Sequence, residues 1–313
     1  MSIVNDLLSK GLIPILNHSN PTYTFMEEES ARAARGLLPG RSVQFFVIKS
    51  GRKNAYTFKA DDQYVLTITD TLFRVIEESI GALLNHEAIR RFIGEWLRLD
   101  YLVKTPIPKN MTWGTEPHRP ADSAEGDLWF SIFDETFCNA LIFTLLHEIA
   151  HIGHGDVDGV TPEASPDIYL STVRTVELMT YGGTGKNRHV RFREYDADRE
   201  AACWLSQRTI KRMLDEPTHD FGVAHLGLAS FGMLMVLLHL SRHDADTQEM
   251  MQSFDHPSYD VRLEGAWEGI TTPLEDTLTV ASAANIEQMI TCLRQLIETV
   301  IFGEPSKYVI SMH

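Results

Sequence analysis

The sequence predicts an α+β protein, mostly helical, with a small antiparallel sheet near its N-terminal half. Three runs between residues 43 and 69, "VQFFVIKS", "NAYTFKA" and "YVLTITD", are rich in β-branched and aromatic residues. The short polar breaks "GRK" and "DDQ" separate them, as turns between strands would. From residue 71 onward apolar side chains recur at helical spacing instead, in segments too long for strands. With 313 residues, 43% of them hydrophobic, the chain has the material for a substantial core.

In chain order, residues 1–42 combine short apolar runs with Pro14, Pro21 and Pro39 and a "MEEESARAARGLL" stretch of amphipathic helical pattern. They are expected to form an N-terminal extension packing on the core, with residues 43–313 as a single domain. After the strands, helices are predicted at about 71–84 and 86–102 by their apolar periodicity. Residues 104–127 are polar and proline-rich and read as a surface excursion. Beyond the apolar run that ends in "LIFTLLHEIAHIGHGD" (141–156), further helices are predicted at 166–180, 192–214, 221–242, 257–269 and 284–301. The glycine-rich segment 181–189 joins the first two of these.

The charge balance excludes one class of partner. Forty-three acidic residues against 28 basic give a net charge of −15, a field that repels phosphate backbones, so nucleic acid is not an expected partner. Three cysteines without paired spacing (Cys138, Cys203, Cys292) fit a reducing compartment. The N-terminal residues lack signal-peptide features, so a cytoplasmic location is expected. Residues 221–240 contain no Asp, Glu, Lys or Arg and are long enough to cross a bilayer. His225 and His239 interrupt the run, and Gly222, Gly227 and Gly232 suit close helix packing, so a buried core helix is preferred while a membrane span stays open.

The chemistry concentrates in "HEIAH". Helix residues four apart lie about one turn apart on the same face, so His147 and His151 can share one ion, with Glu148 beside them. In the H-E-x-x-H pattern two neutral imidazoles hold zinc, and the adjacent carboxylate is placed to act as general base on the zinc-bound water. The competing reading is a core helix with two satisfied histidines. Phe137 to Leu146 is almost wholly apolar, so two imidazoles and a carboxylate at its end need strong partners to offset desolvation.

A catalytic zinc usually takes three protein ligands. A third histidine six residues after His151 is absent, since that position is Val157, and His154 sits in what reads as a glycine-flanked helix end. The better source is "FREYDADREAACWL" (192–205). Glu194 and Asp198 share a helical face with Ala197, Ala201 and Ala202, small residues that admit another helix closely. Glu194 would then bind zinc, and Asp198 would accept the second N–H of a ligand imidazole. A solvated acidic stripe that includes Asp196 and Glu200 is the alternative.

"HEIAH" with Glu194 and Asp198 in an E-x-x-x-D helix resembles the gluzincin metallopeptidases of the CAAX-prenyl-protease and heat-shock membrane-peptidase group. "NAYTFKADDQYVLTITDTL" (54–72) is similar to that group's Asn-Ala-Phe-Ala hairpin, and "DHPSYDVRLEG" (255–265) to its late His-Pro motif with an arginine downstream. The shorter architecture also looks like the soluble phage-exclusion peptidases. The resemblance implies a zincin-like metallopeptidase domain and Zn2+ on His147, His151 and Glu194. It implies Glu148 as general base, and "YVLTITD" as an edge strand to which an extended protein or peptide substrate adds. It also implies His256 or Arg262 as stabiliser of the developing oxyanion, with Tyr195 and Tyr259 behind them. The expected function is therefore zinc-dependent endopeptidase action on a restricted protein target. The alternative is a catalytically silent or regulatory zinc-binding interaction protein.

Overall fold

The computed structural model describes residues 3–9, 11–15, 20–51, 53–96, 124–157, 186–215, 219–241 and 259–302. The chain begins with a short helix α1 (Ile3–Ser9), strand β1 (Ile13–Pro14) and helix α2 (Pro21–Leu37). Helix α2 starts where the sequence can cap it: the Asn20 side chain accepts from the Thr22 amide at 2.9 Å, and Pro21 fills the first helical position. Its buried Glu29 accepts from Arg32 and, at 3.3 Å, from Arg208 on a later helix.

Strands β2 (Val43–Lys49), β3 (Ala55–Ala60) and β4 (Gln63–Thr69) are the three β-rich runs. The α+β, mostly helical class is as expected, but the sheet is mixed rather than antiparallel, in the order β1-β2-β4-β3. β3 and β4 form the antiparallel hairpin, with Asp61 in the left-handed region (φ 52°) at its turn. β2 instead pairs parallel with β4, Phe45 opposite Leu66 and Val47 opposite Ile68. The connection from β2 to β3 therefore passes across the end of β4. The start of helix α3 (Asp70–Leu84) holds it there: the Ser50 amide donates to Asp70 Oδ1 at 2.8 Å, the Asn54 amide to Thr69 Oγ1 at 3.0 Å, and the Thr71 hydroxyl to the Ser50 carbonyl.

This topology corrects one expectation. "YVLTITD" is β4, an internal strand buried on both faces, and β1 and β3 are the outer strands among the described residues. Alternation along the strands divides the sheet. Phe46, Ile48, Phe58 and Val65 pack with Leu7 and Leu12 in a small cluster, while Val47, Leu66 and Ile68 join the main helical core.

Helix α4 (Glu87–Trp96) covers the first part of the predicted 86–102 helix; residues 97–102 lie outside the described residues, as does the whole predicted helix 166–180. The main core is built around helix α5 (Ala124–His154), which starts earlier than its apolar run suggests. Helices α6 (Lys186–Asp215) and α7 (His219–Ser241) pack on it, α8 (Tyr259–Thr277) packs on α6, and α9 (Val280–Phe302) on α7 and α8. Leu226 to Leu238 of α7 are buried inside the fold. A methyl group on Gly232 would fall 2.5 Å from the Thr136 carbonyl oxygen of α5, and Gly227 lies directly beneath the Trp96 ring. Gly227 and Gly232 thus serve helix packing. Among the described residues α5 is the helix long and apolar enough to span a bilayer, and most of that stretch is buried in the protein.

The α6–α8 contact is closest at two glycines. A methyl on Gly265 would lie 2.7 Å from the Tyr195 carbonyl oxygen, and one on Gly269 would lie 2.1 Å from that of Arg199. Gly269→Ala should therefore push α8 off α6, with a loss of about 1–3 kcal/mol as for other overpacked contacts. Urea unfolding reads this directly, and an unchanged midpoint would show that the helices separate freely.

Candidate active site

Helix α5 presents its chemistry only in its last two turns, after Ala140 to Leu146 have buried it on all sides. His147 and His151 lie one above the other with ring centroids 4.7 Å apart. The helix then stops at Gly155, whose φ of 77° suits a residue without Cβ. The Gly155 amide bonds the Ile152 carbonyl and the Asp156 amide bonds the His151 carbonyl, at 3.1 and 3.0 Å. That turn folds Asp156 back over its own helix, so its Oδ2 lies 2.9 Å from His151 Nδ1.

Helix α6 supplies the facing groups. Ala197, Ala201 and Ala202 are fully buried, and this small-residue face lets α6 approach closely, as the sequence suggested. Glu194 Oε2 lies 3.4 Å from His147 Nε2, Glu194 Oε1 lies 3.6 Å from His151 Nε2, and the two Nε2 atoms are 3.1 Å apart. Asp198 Oδ1 is 2.9 Å from His147 Nδ1, although the contact is bent away from a straight N–H···O line. Behind it Arg262 of α8 grips Asp198 with two bonds, Nε to Oδ2 at 2.7 Å and one terminal nitrogen to Oδ1 at 2.8 Å. The same nitrogen is 3.6 Å from Glu194 Oε2. From the sheet side the Thr57 hydroxyl donates to Glu148 Oε2 at 2.9 Å.

Burial makes these charges interact strongly. It would by itself push the His147 imidazolium down, but Asp198 and Glu194 outweigh it and lift the group to about 10. His151 is raised for a similar reason, burial being overcome by Asp156 and Glu194. Burial raises Glu148 above the usual carboxylate range against the pull of His147, His151 and Thr57. Glu194 and Asp198 go the other way. Burial is overcome at Glu194 by His147, Arg262 and His151, and at Asp198 by Arg262 and His147.

The two imidazoles turn Nδ1 toward a carboxylate and Nε2 toward the site. A proton held at Nδ1 leaves Nε2 as a bare acceptor. Both Nε2 atoms face the Glu194 carboxylate, and the positive charge this cluster calls for is either a second proton on the raised imidazoles or a metal ion that displaces it and takes both Nε2 lone pairs together with the carboxylate. His147, His151 and Glu194 are the one set with metal-ligand spacing among the described residues, their ligand atoms lying within 4.8 Å of one another.

The structure brings His147, Glu148, His151, Glu194, Asp198 and Arg262 together. His256 lies outside the described residues. His154 faces Glu200 at 3.2 Å and stands apart from the three converging groups. Tyr195 donates to Glu268 at 2.6 Å, and Tyr259 to Glu298 at 3.3 Å. Two contributors escaped the sequence reading. Asp156 left a trace, an acid directly after the glycine that ends the helix, while Thr57 left none beyond its place in a strand.

Comparison with known families bears on the same region. The family Peptidase U49 matches residues 98–284, a stretch that contains α5 to α8, the first turn of α9 and every helical residue of the site. The chain belongs to the Peptidase U49 family. It is a peptidase, a hydrolase whose substrates are proteins or peptides. No curated protein and no solved structure matches it.

Proposed function

We propose that this peptidase is a zinc-dependent endopeptidase of gluzincin type, with His147, His151 and Glu194 as the metal ligands and Glu148 as the general base. The spacing of the ligand atoms carries the reading. Donors held tetrahedrally at about 2.0–2.1 Å from zinc stand about 3.3–3.4 Å apart; here the two Nε2 atoms are 3.1 Å apart, and Glu194 faces His147 Nε2 with Oε2 at 3.4 Å and His151 Nε2 with Oε1 at 3.6 Å.

When bound, zinc would polarise the scissile carbonyl and make water a better nucleophile at neutral pH. The chain's own residues do the rest. Asp198 and Asp156 hold protons on Nδ1 of His147 and His151, which keeps both Nε2 lone pairs directed at the site. Arg262 anchors Asp198 and balances part of the charge on Glu194. Glu148, buried and more basic than an ordinary carboxylate, takes a proton from the attacking water and returns it to the leaving amine. A purely structural metal site would have no use for a base beside its ligands.

Elemental analysis of wild type, His147→Ala and Glu194→Ala, purified in parallel, tests the assignment. About one zinc per wild-type chain, with loss from both variants while circular dichroism shows them folded, is the expected result. Chelation of the wild type should abolish cleavage, and zinc should restore it. A metal-free, folded wild type that still cuts its substrate would overturn the proposal.

A further inference from the structure

We propose that Thr57 is a positioning residue of the peptidase reaction: its hydroxyl fixes which oxygen of Glu148 receives and returns the proton. This rests on Glu148 being the general base, and not on the identity of the metal.

Thr57 belongs to β3, opposite Leu66 of β4, in the row of residues that faces the helical core. Its place is separated from Glu148 by 91 residues of chain, yet the two groups meet at 2.9 Å with both residues more than nine-tenths buried. A carboxylate at the end of a two-methylene stem can rotate and exchange its oxygens. The bond from Thr57 engages Oε2 and so holds the carboxylate in one orientation, with Oε1 left for the reacting water.

Hydroxyl chemistry makes this assignment persist through the reaction. When water attacks, its oxygen bonds to the scissile carbonyl carbon and one of its protons passes to Glu148. If that proton lands on Oε1, Oε2 becomes the carbonyl oxygen of the acid and still accepts from Thr57. If it landed on Oε2, Thr57 would have to turn its hydrogen elsewhere and accept instead. The existing bond thus favours Oε1 on uptake. The same oxygen then protonates the amine nitrogen as the C–N bond breaks, which restores the carboxylate for the next cycle.

Thr57→Val keeps the shape and removes the donor, whereas Thr57→Ser keeps the donor. The substrate probe is a proteome-derived peptide library digested by the zinc-supplemented full chain and read by mass spectrometry. Kinetics follow on the peptide that the wild type cuts fastest. Thr57→Val is expected to lose about 10–100-fold in kcat, the usual scale for a group that orients another, at unchanged KM and metal content, and Thr57→Ser to restore most of it. Equal kcat in wild type and Thr57→Val, or an equal fall in Val and Ser variants, overturns the proposal. Should Thr57→Val misfold, Thr57→Ala against Thr57→Ser carries the same comparison.

A substrate-free measurement checks the contact. In a urea double-mutant cycle, Thr57→Val, which removes the donor, and Glu148→Met, which removes the acceptor at similar side-chain length, should be coupled by about tenfold in the unfolding constant, as for a buried hydrogen bond to a charged group. Additive effects overturn the proposal. Zinc analysis on the same samples keeps the tests apart: cleavage by metal-free protein sinks the zinc reading and leaves the Thr57 comparison intact.

Discussion

Glu148→Gln should lower kcat by about 10²–10⁴-fold, the range spanned by general bases, with metal content and thermal stability close to wild type. The amide has nearly the shape of the carboxylate, and its oxygen can still accept from Thr57, so the contact to β3 survives in weakened form. The amide cannot take a proton at neutral pH. None of the three proposed ligands is altered, so binding of the ion should persist. This distinguishes the variant from His147→Ala and Glu194→Ala, which should lose ion and activity together. Peptide cleavage, elemental analysis and circular dichroism on one preparation decide the matter, and cleavage by Glu148→Gln at the wild-type rate would remove Glu148 from the reaction.

The sequence made the strands and most helices legible because their signals are local. Alternating β-branched and aromatic residues mark β2 to β4, and apolar periodicity marks α3, α6 and α9. Pairing between strands is not local. The parallel β2–β4 contact follows from the clamp of Ser50 and Asn54 on Thr69, Asp70 and Thr71, hydrogen bonds that no pattern in the strands announces. Helix α5 likewise outruns its apolar stretch, extending back to Ala124 through polar residues that read as the end of a loop.

The site divides along the same line. His147, Glu148 and His151 are fixed by helical spacing, and Glu194 with Asp198 by one further turn and an alanine face. Asp156 reaches His151 because a left-handed glycine reverses the chain, so its role is visible only once that turn is built. Thr57 depends on the sheet docking against α5, which is tertiary information alone. Arg262 was expected as a stabiliser of the oxyanion, and the structure joins it to Asp198, a partner that the sequence did not announce. Gly265 and Gly269 bring α8 onto the backbone of α6 at Tyr195 and Arg199, beside the two acids of that helix, and this contact aims the guanidinium at Asp198.

That placement sets a second large effect, on stability. Arg262 is 2% exposed and Asp198 fully buried, joined by two bonds of 2.7 and 2.8 Å. Removing one member of a buried pair strands the other charge in a medium that solvates it poorly, at about 3–5 kcal/mol. Arg262→Leu should therefore lose about that much in urea unfolding, and it should also bind metal more weakly, because Asp198 loses its anchor and Glu194 a neighbouring positive charge. Arg262→Lys keeps the charge but not the fork that spans both carboxylate oxygens, so it should recover only part of the loss. An arginine acting on the reaction's oxyanion predicts another pattern: Arg262→Leu would keep its stability and metal and lose kcat alone. With two of its donors on Asp198 and a third contact toward Glu194, the guanidinium faces α6, the helix that carries both acids. Stability, metal affinity and activity should fall together, and a loss confined to kcat would restore the oxyanion role.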